Sequence, residues 1–468
     1  MNRFLSVLLS IMFFTTSVIL IYANAAPSYW EAYPYSEVLT VDEDCPIIVN
    51  SERLTFNFSE DYEYGHSYAP VARVMANYEM TNPTKETLSV QMAFPLVASL
   101  EYFSPENMTI RVDGEAVPYD IFIDPNNADI GTGEGFSYGD VGDISKKEIS
   151  LDGFDLNART KRYRFKVINN SAEGVDLKIN FKVDPKKTML ITSGFNAASY
   201  SSDKGSSISS RIQSQDDMEI LVLGNEPEFT YGVYTNDNEK ISSESYCIEV
   251  IKDTVIPKEY LLNGLREDLS EDTIDIISHT QLLKPYEYRI LQDSQMTGFV
   301  MLDDVLSSTY IDRIITLVYT VDFARDESRQ ISISYLTSGI MDRRDTVLPK
   351  YSYTYLLSPA KNWAGFSNLD IEVLTPDEAP YIIESSLELS KEGDNRYKAQ
   401  LNALPQDEFT FTLYKNKEVT LMDRVQKKVD KMSYMLYFLW PFIAVVLALI
   451  LIVIIRLVIR RRRNSKHL

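Results

Sequence analysis

From Tyr434 to Ile455 the chain carries no charged side chain, and no other feature constrains its architecture as strongly. A helix rises about 1.5 Å per residue, so about 20 apolar residues cross the hydrocarbon core of a bilayer. Tyr434, Tyr437, Phe438 and Trp440 gather at one edge of the run, where amphipathic rings favour the interface. Pro441 falls near the first turns, where its missing N–H costs little. Arg456, Arg460, Arg461, Arg462, Arg463 and Lys466 follow, and such a basic cluster stays on the cytoplasmic side. The expectation is a transmembrane helix over 434–456, anchored by Trp440, Arg456, Arg460 and Arg461, with a basic cytoplasmic tail over 457–468. The competing reading, a buried soluble helix, is poor because soluble helices rarely stay apolar all round for so long.

The other end agrees with this topology. Arg3 precedes an apolar run from Phe4 to Tyr22, and Ala23-Asn24-Ala25 supplies small residues where a signal peptidase cuts. The run is long enough for an uncleaved anchor to compete with a cleaved signal peptide over 1–25; the small residues favour cleavage after Ala25. The chain is therefore expected at the cell membrane, single-pass, with its N-terminus outside and its C-terminus in the cytoplasm. The lipid bilayer is then a partner through the C-terminal helix.

Of 46 basic side chains, the leader holds one and the tail six, leaving 39 against 67 acidic ones, or −28, for the exported part. Nucleic acid is excluded as a natural partner of such a surface. About 400 exported residues exceed one ordinary core. Abundant Tyr and β-branched residues favour strands.

Period-2 alternation marks those strands: Leu54, Phe56 and Phe58; Ala72–Met80 and Thr87–Phe94 flanking the turn Asn82-Pro83-Thr84-Lys85; Met108–Val112 and Ala116–Ile123 flanking Asp113-Gly114. Residues 124–150 read as a long Gly-rich loop, and Ser199–Ser214 as a mobile one. Lys258–Leu269, Glu271–Leu283 capped by Ser270, and Met301–Tyr310 have helical spacing. Alternation returns at Arg313–Phe323, Ile331–Tyr335, Tyr351–Tyr355, Leu369–Leu374, Tyr397–Leu401 and Phe409–Tyr414. The expected fold is mainly β with a minor helical connector: an N-terminal arm over 26–50, antiparallel β-sandwich-like domains over 51–255 and 313–418, the connector over 256–312, and a juxtamembrane stalk over 419–433.

Tyr78-Glu79-Met80-Thr81-Asn82-Pro83-Thr84, Val90 to Leu96 and Val112-Asp113-Gly114 are similar to the start of the inter-alpha-inhibitor N-terminal domain. With Tyr246-Cys247-Ile248 and Asn362-Trp363-Ala364-Gly365 they also resemble a family of exported bacterial proteins catalogued as a domain of unknown function. The resemblance spans most of residues 50 to 415 on short motifs; it implies β-sandwiches and an envelope location and carries over no catalytic residue. No Asp-x-Ser-x-Ser sequence is present, so it implies no metal-dependent adhesion chemistry.

Candidate chemistry is sparse. The cysteines Cys45 and Cys247 both fall in the exported part, and an even count in an oxidising compartment predicts a disulfide, with two unpaired thiols as the alternative. Of the three histidines, His467 falls in the tail, and His66 and His279 read as surface or packing residues. No nucleophile elbow, zinc-protease helix or phosphate loop occurs. No cofactor is expected; Asp124, Asn126 and Asp129 in an acidic loop are a candidate calcium set, although the spacing fails the EF-hand rule. Tyr351, Tyr353 and Tyr355 share one strand face and are a candidate sugar platform, with core packing as the commoner use of such a pattern. Sequons at Asn57, Asn107 and Asn169 would stay bare in a bacterium. The reading that follows is a non-catalytic interaction or scaffolding component of the bacterial envelope, with an envelope or membrane protein partner. The alternatives are a carbohydrate-binding or adhesion module and a hydrolase with an unlocated carboxylate pair.

Overall fold

Alternating apolar and polar residues build most of the molecule. In the computed structural model the described residues are 45–60, 68–125 and 151–423, apart from 102, 104, 152, 172, 202–204, 236–238 and 243, together with 29–30, 35–36, 39–40 and 456. The expected signal peptide and, Arg456 excepted, the expected membrane span, its anchors Trp440, Arg460 and Arg461, and the tail lie outside the described residues. Among those described, no helix is long and apolar enough to cross a membrane.

A nine-stranded sheet forms the middle of the fold. Its order is Ser390–Lys391, Arg396–Leu401, Leu369–Leu374, Ile48–Asn57, Ala72–Thr81, Ser328–Thr337, Thr109–Val112 and Glu115–Ala116, with Gly365–Phe366 also paired to Ile48–Asn57. Half of its inner face packs on a sheet of Leu39–Thr40, Leu88–Ser99, Asp312–Phe323 and Asp120–Ile123, where Phe94 meets Tyr335 at 5.1 Å between ring centroids. The other half packs on a sheet containing Ile340–Asp342, Lys350–Leu356, Phe409–Tyr414 and Tyr381–Ser385, where Phe56 meets Phe411 at 5.1 Å and Phe58 meets Tyr353 at 4.9 Å. One continuous core results.

This pairing cuts across the domain boundaries expected from sequence. Asp312–Phe323, assigned to the second domain, pairs along its whole length with Leu88–Ser99 of the first. Leu369–Leu374 pairs with Ile48–Asn57, and does so in parallel, as do Gly365–Phe366, so the sheet is not purely antiparallel. The hairpin expected around Asn82 is also corrected. Ala72–Thr81 pairs with Ile48–Asn57 and Ser328–Thr337, and the chain then crosses to the opposite sheet. Fully buried Asn82 holds that corner: its Nδ2 donates to the carbonyls of Glu86 (2.8 Å) and Ala324 (3.0 Å), and its Oδ1 accepts from Thr84 N (2.9 Å). Asp113 (φ 50°) and Gly114 (φ 86°) do form the expected two-residue hairpin turn, both in the left-handed region that such a turn requires.

Residues 160–255 form a separate sandwich inserted between the two halves of that core. One sheet is Tyr246–Val255, Thr160–Asn169, Gln215–Gly224, Thr188–Ser193 and Phe299–Met301; the other is Ala197–Ser199, Ser206–Ile212, Val175–Phe181 and Thr230–Tyr234. Phe181 against Phe299 (5.5 Å) bridges the two in a core of their own, and Phe165 of the first sheet meets Tyr231 of the second at its rim (5.6 Å). The Ser-rich stretch expected as a loop is therefore partly strand. Ser206, Ile208, Ser210 and Ile212 alternate inward, and small serines fit a buried face as readily as a loop.

Four helices join insert and main core: α1 (Pro257–Leu265), α2 (Glu271–Ile276), α3 (His279–Thr297) and α4 (Leu302–Leu306). Ser270 caps α2 as expected, accepting from Thr273 N at 3.1 Å. The single helix expected over Glu271–Leu283 breaks at Ile277, because Ser278 caps a new one by accepting from Gln281 N (3.4 Å). Helix α3 runs through Pro285 and stops at Gly298 (φ 71°). Leu261, Leu265, Leu282, Tyr286 and Ile290 are buried in the core that also takes Met189, Ile191, Leu221 and Leu223 from the outer face of the insert.

Candidate functional site

The outward face of the central sheet carries polar side chains in register. One row runs Gln400, Asp370, Arg53, Asn77, Ser332, Arg111 across six adjacent strands. Adjacent strands lie about 4.8 Å apart, so the row is about 24 Å long. Ser51, Glu79 and Gln330 flank it. Period 2 explains the placement: Leu54, Phe56, Tyr78, Ile331 and Ile333 point into the core, so their neighbours must point out. A register shift between Val49 and Ser51 resets the alternation at one end, and the Asp113-Gly114 hairpin stands at the other. Between them lies an open groove of about 630 Å³.

Hydrogen bonding there is largely unspent. Ser332 Oγ donates to Asn77 Oδ1 at 2.8 Å, Arg111 Nη1 donates to Gly114 O at 2.9 Å, and Arg53 lies 3.9 Å from Asp370. Among the described residues, the side chains of Glu79, Gln330 and Ser51 and the amide nitrogen of Asn77 have no protein partner. Backing by two sandwich halves fixes the spacing of these groups, which is what a recognition surface needs.

A second charged cluster has a structural task. Arg162 donates to Asp253 at 2.6 Å, and Arg164 to Glu219 at 2.8 Å, on the outer face of the insert beside α1. Arg162 holds the Asp253 carboxyl below the usual carboxylate range. Burial, then the hydrogen bond with Glu219, pushes the Tyr260 hydroxyl up. Asp303, from α4, accepts from Ser193 Oγ (3.0 Å) and Gly194 N (2.8 Å). The arginine pairs tie adjacent strands of the insert together, while Tyr260 and Asp303 clamp the helices onto it. Elsewhere Arg313 is buried and lends Nη1 to the carbonyl of Pro125 at 2.8 Å, while burial lowers its pKa.

Several sequence candidates come apart. Cys45 is buried in the main core, Cys247 is exposed on the edge strand of the insert, and both are free thiols, so the expected disulfide is not formed. An even count states nothing about which sandwich each cysteine enters. Tyr353 and Tyr355 are 3% and 1% exposed and belong to the core, and Tyr351 is half-buried, so they offer no sugar platform. Tyr353 OH donates to Pro70 O at 2.7 Å, and Tyr355 OH lies 3.1 Å from Tyr78 OH. Of the calcium set, Asp124 is partly buried with its N–H bonded to Ile314 O (2.9 Å), while Asn126 and Asp129 lie outside the described residues. No group of three or more metal-ligating side chains occurs among the described residues. The sequon at Asn169 is buried, its Nδ2 spent on Glu173 O (2.8 Å) and Gln213 O (3.0 Å). The groove itself escaped the sequence because it joins residues of strands 317 positions apart, Arg53 and Asp370.

No protein-family model matches the chain, and no curated protein matches it. Among solved structures, a Legionella pneumophila protein named "putative nutrient binding protein" aligns over 86% of this chain and 76% of its own, at 10% identity and a TM-score of 0.35. A likeness that distant carries no argument about function.

Proposed function

We propose that the chain is a membrane-anchored, extracytoplasmic, non-catalytic recognition protein of the bacterial envelope, with the outer face of its central sheet as the recognition surface. The observation that supports it most is the polar row from Gln400 to Arg111, held on six strands and backed by a single core. A fixed, open array with unspent donors and acceptors suits binding; a reaction would need a closed site that excludes water. The uncharged run at Tyr434–Ile455 and the basic residues after it supply the anchor in this reading. In-cell crosslinking of the tagged full-length chain tests it. An envelope component captured by the native chain and lost in Arg53→Ala/Arg111→Ala is the expected result. An identical capture profile from both chains, or hydrolysis of cell-wall material by the purified protein, would overturn it.

A further inference from the structure

We infer that the groove on the central sheet takes a neutral, polyhydroxylated chain, an uncharged oligosaccharide; this rests on the recognition reading above and names its ligand class.

Charge is the first ground. The whole chain has a net charge of −21, yet the outward face of the groove sets two guanidinium groups, Arg53 and Arg111, against two carboxylates, Glu79 and Asp370; the third lining carboxylate, Glu52, points inward, 1% exposed, towards the Tyr355 hydroxyl. A site for a polyanion would carry an excess of arginine, and a site for a basic peptide an excess of acid. Balanced charge favours a ligand without net charge.

The second ground is the kind of group presented. No outward side chain in the groove is apolar, so nothing there would anchor the leucine or aromatic side chain on which most protein partners depend. What is offered instead is an alternation of donors and acceptors at strand spacing. The Asn77 amide nitrogen and the Gln330 amide can donate, the Glu79 and Asp370 carboxylates can only accept, and the Ser51 hydroxyl can do both. A sugar hydroxyl is itself both donor and acceptor, so neighbouring hydroxyls can satisfy a carboxylate and an amide side by side. An ordinary solvated sheet face would spend such groups on cross-strand pairs; here the outward row spends them only on the Ser332–Asn77 hydrogen bond, the Arg111–Gly114 hydrogen bond and the loose Arg53–Asp370 ion pair at 3.9 Å.

The third ground is shape. The groove runs across the strands, open to solvent, and its part of the row, from Asp370 to Arg111 across five strands, spans about 19 Å and accommodates an extended chain lying perpendicular to them.

The test is a glycan array of neutral and acidic oligosaccharides, probed with the full-length chain in detergent micelles, followed by titration calorimetry on the best binder. The expected result is binding of a neutral oligosaccharide that varies little between low and high salt. Asn77→Ala and Arg111→Ala should each weaken it by about tenfold, the loss of one to two good hydrogen bonds, with an unchanged melting temperature. Binding only of acidic glycans with steep salt dependence, no glycan binding at all, or neutral binding unaltered in both variants would overturn the inference. Loss of a protein crosslink in Arg53→Ala/Arg111→Ala without any glycan binding would remove the ligand class and leave the recognition reading standing.

Discussion

The main core and the core of the insert are built from the same alternating strands, yet they gather them differently. The insert takes nearly all its strands from one stretch, 160–255, and borrows only Phe299–Met301. The main core joins Ile48–Ile123 to Asp312–Tyr414, so its strand partners lie hundreds of positions apart. Local pairing closes small loops and is entropically cheap; the long-range pairing has to close a loop containing the entire insert. The main sheets therefore depend on a densely aromatic interior, in which Phe56, Phe58, Tyr353, Phe409 and Phe411 stack and edge one another.

The largest expected effect tests that difference directly. Phe56→Ala should cost about 3–5 kcal/mol. In hydrogen exchange it should deprotect Ile48–Asn57 and Phe409–Tyr414 together, since Phe56 touches Phe409 and Phe411. Phe165→Ala should deprotect only strands of the insert. Deprotection of the N-terminal strands alone by Phe56→Ala would show that the main core is two.

Asn82→Ala should come next, at about 2 kcal/mol, because it removes the fully buried side chain whose amide ties the Glu86 and Ala324 carbonyls across the sheet-crossing corner. Equilibrium denaturation measures it, and a change below half a kcal/mol, set against the usual spread of surface mutations, would mean that the corner is held by its neighbours.

Arg162→Met should cost about 1–2 kcal/mol after allowance for partial exposure of the pair. The sign with pH follows from Asp253, whose folded pKa is depressed by Arg162. Its contribution is present above the unfolded carboxylate value of about 3.9 and is lost as pH falls through the depressed folded value. Native and variant stabilities should converge in acid; a constant gap down to the acid limit would assign the effect to packing.

The smallest effect is expected at Glu287 on α3, whose carboxyl is pushed up by burial against the opposing influence of Lys258. A raised folded pKa means that ionisation destabilises the fold as pH rises above the unfolded value of about 4.3. Glu287→Gln should raise the melting temperature at neutral pH, by less than about 1 kcal/mol in stability, with no gain below that value. A gain that persists in acid would contradict this account.

Strand positions were legible because alternation reports which face is buried, as at Leu54, Phe56 and Phe58, and turn chemistry was legible at Asp113-Gly114 and in the Ser270 cap. Of the groove, only its members' outward parity was legible. Tyr351, Tyr353 and Tyr355 show why: alternation places them on one face and is silent on whether that face meets water or another sheet, and the Phe409–Tyr414 sheet made it core.

The amino-acid sequence by itself determined most strand alternation and some turns and caps, such as Asp113-Gly114 and Ser270, since those depend on neighbours within a few residues. Only the tertiary structure decided which strands pair, that Cys45 and Cys247 stay apart, and that Arg53, Asn77, Ser332 and Arg111 share one row. Pairing is a choice among many edges of similar pattern, settled by how aromatic side chains from distant segments fill a common interior. That filling is a property of the packed whole and has no local signature.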